Sequence, residues 1–208
     1  MVKRLNIPYG RQQVTDQDIK EVERVLRSDF LTQGPEVPKF EENFKDYVGS
    51  SYSVAVNSAT SGLHLSCLAL NVGKGDIVWT SAVTFVASAN CALYCGAKVD
   101  LIDIDKDTCN ISIEALRNKL KAARKNNSLP KVLVAVHLAG LSCEMDQIKE
   151  LSDEFGFRII EDASHASGGS YKGKRIGACQ FSDISVFSFH PVKNLTSGEG
   201  GMINTNSE

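Results

Sequence analysis

From residue 53 onward, apolar residues along this chain alternate between two rhythms, short strand-length runs and longer helical stripes. Ahead of that region, Val37, Phe40, Phe44 and Val48 recur at spacings of three and four, the mark of an amphipathic helix. Earlier still, Thr15 stands as an N-cap with Asp16 and Asp18 in the first turn, predicting a helix to about Arg27. Thr32-Gln33-Gly34-Pro35 reads as a turn between the two. Strands are expected at 53–56, 77–80, 99–104, 131–136, 157–160 and 184–189, with a last one at 202–205. Helices are expected from the 57–62 segment to about Leu70, then over 85–95, 113–126 and 145–155.

Strands separated by helices need crossover connections, so the expected fold is α/β: three layers, with a mainly parallel sheet covered on both faces. Ligands of such sheets bind beyond the carboxyl ends of the strands. That rule selects four segments, 58–62, 84–85, 161–165 and 188–193.

Each segment has a chemical and a plain reading. Asn57-Ser58-Ala59-Thr60-Ser61-Gly62 joins a strand to a helix, where free N–H groups and hydroxyls suit a phosphate. Serine and threonine are also the commonest helix caps. Asp162 follows a core strand, where a carboxylate either caps a turn or pairs with a cationic ring nitrogen. Phe85 is either core or a platform for a planar ligand. Pro191 stops the strand 184–189, and Lys193 follows beside the glycine-rich Gly198-Glu199-Gly200-Gly201. An amine anchored at the end of a core strand can lose its proton and capture an aldehyde, whereas a loop lysine stays solvated. Together, a phosphate nest, a stacking aromatic, a strand-end aspartate and a strand-end lysine describe a pocket for pyridoxal phosphate.

Composition narrows the alternatives. The 208 residues include 42% hydrophobic and 23% charged positions, enough for one sizeable core. A net charge of −2 gives no basic face for nucleic acid. Six scattered cysteines lack CxxC spacing and read as buried thiols of a cytoplasmic protein. Cys91 and Cys95, or Glu161, Asp162 and His165, are thin as metal ligand sets, so no metal is expected. The opening residues lack a signal-peptide core, and the uncharged window 77–97, broken by polar residues, reads as core and not as a membrane span. No G-x-G-x-x-G follows the first strands, which argues against a nicotinamide-binding enzyme.

The motifs then point to a family. Ile7-Pro8-Tyr9 with Gln12, Leu31-Thr32-Gln33-Gly34-Pro35, 57–62, 84–90, 161–166 and 188–201 run in order along nearly the whole chain. They resemble the fold-type I, pyridoxal phosphate-dependent sugar aminotransferases that act on nucleotide-linked keto sugars. The likeness is nearest to the branch that aminates UDP-linked 4-keto-6-deoxy-N-acetylhexosamines towards pseudaminic acid. The resemblance implies Lys193 as the amine that holds the cofactor and shuttles the proton, with Asp162 on the pyridine nitrogen. It implies His165 near the phenolic oxygen, Thr60, Ser61 and Ser188 on the phosphate, and Phe85 stacked on the ring. Tyr9 and the loop Leu31, Thr32, Gln33 and Gly34 would touch the sugar nucleotide, and glutamate would be the amino donor. Residues 1–35 then form an N-terminal helix and substrate loop, and 36–208 a cofactor-binding large domain. Family members work as homodimers and continue into a C-terminal domain, which this chain is expected to lack. A chain of this kind is read either as an aminotransferase or as a cofactor-binding, dimerising remnant without turnover.

Overall fold

The computed structural model describes residues 10–208, so Tyr9 and the rest of the Ile7-Pro8-Tyr9 motif lie outside the described residues. Helix α1 (Asp16–Leu26) starts where Thr15 Oγ1 accepts the Asp18 N–H at 3.3 Å and the Asp18 carboxylate accepts the Thr15 N–H at 2.7 Å. That reciprocal pair satisfies two of the backbone donors that a helix start leaves orphaned. None of the side chains of α1 is buried. Helix α2 (Glu36–Val48) closes on Gly49 at φ 82°, a left-handed cap suited to glycine.

The chain then alternates as the apolar rhythm predicts: β1 (Tyr52–Val56), α3 (Ala59–Ala69), β2 (Ile77–Ser81), α4 (Ala87–Tyr94), β3 (Lys98–Ile102), α5 (Ile113–Lys125), β4 (Val132–Val136), α6 (Met145–Phe155) and β5 (Arg158–Asp162). A small hairpin, β6 (Ser170–Tyr171) and β7 (Lys174–Arg175), precedes β8 (Ile184–Ser188) and β9 (Gly201–Thr205). Seven strands make one sheet in the order β1-β9-β8-β5-β4-β2-β3. Pairs β2–β3, β2–β4, β4–β5 and β5–β8 are parallel; β9 runs antiparallel between β8 and β1. β4 and β8 are buried throughout, as uncharged apolar runs in mid-sheet should be.

Helices cover both faces. Leu63, Cys67, Cys91 and Ala92 of α3 and α4 pack on Val134, Val136, Ile160 and Val186. On the opposite face Leu116, Leu120, Ile148 and Leu151 of α5 and α6 pack on Leu133, Ala135 and Ile159. Each fully buried Leu, Ile or Val among them contributes about 1.5–3 kcal/mol. α2 joins that second face at the other end, where the Phe44 and Phe187 rings lie 5.2 Å apart edge to face.

Three differences from the sequence reading bear on function. The strand expected at 157–160 runs on to Asp162, because the register pairs Val136 with Asp162 and Asp162 with Val186. The helix expected at 85–95 begins at Ala87, which leaves Phe85 in the loop before it. The hairpin β6–β7 has no apolar signature; its turn rests on positive φ at Lys172 (47°) and Gly173 (78°).

β9 also brings the chain against the start of α3. A Cβ on Gly201 would stand 2.7 Å from the Ala59 nitrogen and 2.8 Å from the Phe187 carbonyl oxygen, both backbone atoms. Gly201→Ala must therefore push β9 and the α3 N-terminus apart. The expected loss is about 1–3 kcal/mol of stability, read from the urea midpoint at unchanged m-value.

Candidate active site

Because β9 is antiparallel to both β8 and β1, those two strands point the same way as β2, β4 and β5. Their carboxyl ends therefore share one edge of the sheet. Val56 and Ser188 both flank Gly201 in register, and Asp162 lies one strand further on. A cavity of about 650 Å³ opens at this edge, within the usual range of small-molecule sites.

Asp162 is its most buried ionisable group, 4% exposed. Its Oδ1 accepts the Ser164 N–H at 3.2 Å and the Ser164 hydroxyl at 2.6 Å, and its Oδ2 accepts the Ser88 hydroxyl at 2.6 Å. Lys193 reaches the same cavity from a turn in which its N–H donates to the His190 carbonyl at 2.9 Å, with Pro191 preset for the bend. The loop is tied down: the Ser197 N–H and Thr196 hydroxyl both donate to the Phe189 carbonyl, and Asn194 Nδ2 donates to the Ser167 carbonyl at 2.7 Å. Burial lowers the Lys193 ammonium below the ordinary lysine value, and the Asp162 carboxylate pulls the other way.

His165 lines the cavity and accepts the Ala139 N–H on Nδ1 at 3.2 Å, so the neutral ring holds its proton on Nε2. Burial, then the Lys193 charge, lowers its pKa, against a smaller opposing pull from Asp162. Ser58 caps α3 by accepting the Ser61 N–H at 3.1 Å, leaving the first N–H groups of the helix without helical partners. Ser58, Thr60 and Ser188 line the cavity; the Ser61 hydroxyl instead accepts from Ser58 at 3.1 Å. Phe85 is 67% exposed on the cavity wall and is no part of the core. Leu31, Thr32, Gln33 and Gly34 are not among the residues lining the cavity.

Sequence reasoning missed Ser88, whose helical position gives no hint of a partner 74 residues away. It also missed the buried pair next door. Glu161 Oε2 lies 2.7 Å from His137 Nε2, and Ser182 donates to Oε1. Since His137 Nδ1 accepts the Cys143 N–H, the ring donates to Glu161 from Nε2. Adjacent strand residues face opposite sides, so Glu161 is occupied behind the sheet while Asp162 faces the cavity. Only the Glu-Asp dipeptide at a strand end could have signalled this. His190, with Nε2 3.9 Å from Glu199 Oε1, sits at the cavity rim.

The chain belongs to the DegT/DnrJ/EryC1/StrS aminotransferase family, which it matches over residues 12–208. It is 42% identical over 202 residues to the UDP-4-amino-4,6-dideoxy-N-acetyl-beta-L-altrosamine transaminase of Campylobacter jejuni, covering 97% of this chain and 52% of that protein. It is 41% identical to an uncharacterised protein of Methanocaldococcus jannaschii, covering 100% of this chain and 52% of the relative. The chain thus spans about half the length of the curated relatives it matches. Among solved structures, Helicobacter pylori PseC, an aminotransferase of pseudoaminic acid biosynthesis, superposes with a TM-score of 0.86 at 33% identity over 97% of this chain and 52% of that one. A sugar aminotransferase of Streptococcus pneumoniae, solved in its PLP form, gives 0.84 at 31% identity over 98% and 54%. Among the described residues no helix is long and apolar enough to cross a membrane.

The lowered Lys193 value fixes a direction for its chemistry. The neutral fraction of an amine rises with pH through its own pKa, so reaction of Lys193 with an amine-selective acylating reagent should be half-maximal below pH 10.5. Peptide mapping of acylation against pH checks this; a midpoint at or above that of a free peptide lysine contradicts it.

Proposed function

We propose that this chain binds pyridoxal 5'-phosphate at the carboxyl edge of its sheet and acts in moving an amino group from glutamate to a sugar. The finer reading is that the acceptor is the 4-keto carbon of a UDP-linked 4-keto-6-deoxy-N-acetylhexosamine. The observation that supports it best is the pairing, in one cavity, of the half-buried Lys193 amine with the buried Asp162 carboxylate. The transaminase activity of the Campylobacter jejuni relative on a UDP-linked amino sugar supports the substrate class.

The residues present suit the group. Asp162 is a buried anion whose cavity side can accept a further N–H, as a protonated ring nitrogen requires. The open start of α3, with Thr60 and the nearby Ser188, suits a phosphate dianion, and Ser58 joins them from the cavity wall. Ser61 then contributes mainly by completing the cap. Phe85 offers an aromatic face with no core partner to satisfy, and the His165 Nε2–H suits a phenolic oxygen. When bound, the cofactor supplies a carbonyl that captures amines and a ring that withdraws electrons from the adjoining carbon.

Lys193 has two tasks in this reading. Its amine would hold the cofactor's aldehyde, and its lowered pKa would suit it to take up and return a proton during transfer. Asp162 keeps the ring nitrogen charged. Tyr9 and the loop Leu31, Thr32, Gln33 and Gly34 contact the sugar nucleotide, so 1–35 serves as a substrate segment and 36–208 as the cofactor domain. A homodimer fits the exposed Leu65, Leu68, Leu93 and Tyr94 on α3 and α4, and a cytoplasmic setting fits the buried thiols of Cys67, Cys91, Cys143 and Cys179.

Cofactor binding and turnover are separable, and one experiment reads both. After incubation with pyridoxal phosphate and borohydride, peptide mapping should find the cofactor fixed on Lys193, and Lys193→Ala should abolish it; fixation at another lysine refutes the assignment. Asp162→Asn should keep cofactor on Lys193 but slow release of 2-oxoglutarate from glutamate by about 10²–10³. Full activity in that variant would show that the ring needs no carboxylate. Trapping at Lys193 with no 2-oxoglutarate from the unaltered chain would mark a binding module without turnover.

A further inference from the structure

The Asp162 carboxylate is linked to a second part of the cavity wall through two hydroxyls. Ser88, wholly buried in the first turn of α4, donates to Asp162 Oδ2 at 2.6 Å, and its Oγ lies 2.9 Å from Thr84 Oγ1. A hydroxyl has one proton and an ionised carboxylate only accepts, so Ser88 spends its proton on Asp162 and can only accept from Thr84. The Thr84 hydroxyl has Ser88 at 2.9 Å as its nearer acceptor and the Phe85 carbonyl at 3.3 Å as the farther one. Bonds aligned in this way polarise and strengthen each other. Thr84 immediately precedes Phe85, the exposed aromatic of the cavity wall.

Simple satisfaction of buried groups does not require this arrangement. A buried helical serine ordinarily bonds back to its own helix, as Ser66 does to the Gly62 carbonyl at 2.7 Å. Ser88 instead spans to another strand. Asp162 Oδ1 is already held twice by Ser164, from the loop just after β5. Thus the two oxygens are held by different elements, and only Oδ2 answers to α4 and the loop before it.

We propose that Thr84 and Ser88 are positioning residues: a hydroxyl relay that fixes the Phe85 loop and the Asp162 carboxylate relative to each other, so that both grip one planar cationic heteroaromatic ring as a unit. The inference rests on the reading of Asp162 and Phe85 as ring contacts given above. Severing either link lets the aromatic face and the carboxylate settle independently.

The test uses the full chain and pyridoxal phosphate labelled with ¹⁵N in the ring. Dissociation constants and the bound ring-nitrogen chemical shift are measured for wild type, Ser88→Ala, Thr84→Val and Asp162→Asn. Ser88→Ala should weaken binding by about tenfold, the scale of one hydrogen bond to a charged group, and move the nitrogen signal part of the way towards its Asp162→Asn position. Thr84→Val, which keeps the side-chain shape, should move both readouts in the same direction by less, and keeps the relay testable should Ser88→Ala fail to fold. Weakened binding with the nitrogen signal unmoved in both hydroxyl variants would reduce these residues to packing and overturn the relay, as would wild-type values throughout. If Asp162→Asn itself leaves the signal in place, the ring does not meet Asp162 and the underlying reading fails first.

Discussion

An ionised carboxylate shut away from water is the constraint on which the rest of this structure depends. Leaving such a group buried without partners costs several kcal/mol, so a fold that buries Asp162 must supply donors and hold them in place. Two come from Ser164 in the loop just after β5 and one from Ser88 on α4. The parallel register between β4, β5 and β8 fixes where the group stands. The same register sets Ser188 at the adjoining strand end, and from there a proline-bent turn returns Lys193 to the cavity. The lysine and the aspartate are thus products of one packing solution.

The alternation of strand side chains divides the labour between two neighbouring acids. Glu161 points behind the sheet, where His137 and Ser182 occupy both of its oxygens. Asp162 points into the cavity with room for one more donor. Proximity to Asp162 favours the charged form of Lys193, yet burial wins and lowers its pKa. An amine that gives up its proton more readily than a surface lysine, beside a carboxylate held by three hydrogen bonds, is what capture of an aldehyde and transfer of a proton both require.

Much of this was legible in the sequence because the signals are local. The apolar runs of β4 and β8, the Thr15 and Ser58 caps, and the Pro191 stop each act within a few residues. The four segments singled out by the strand-end rule do meet at one edge. Strand order was not legible, since β9 slots between β1 and β8 through pairings that no periodicity encodes. The end of β5 was misplaced for a related reason: Glu161 and Asp162 look like loop residues until the partners from β4, α4 and the 181–183 segment are known. The hydroxyl contact between Ser58 and Ser61 was not legible either, since any serine at a helix start can serve as cap or as ligand. Phe85 left both a core and a platform reading open from its type; it is exposed on the cavity wall, in the loop ahead of α4.

The central claim is that Lys193 and Asp162 address one bound ring. A crystal structure of the chain grown with pyridoxal phosphate tests it most directly. The account predicts electron density continuous with Lys193 Nζ and a ring nitrogen within hydrogen-bond distance of the Asp162 carboxylate. A ring bound elsewhere, or one whose nitrogen faces away from Asp162, would contradict it.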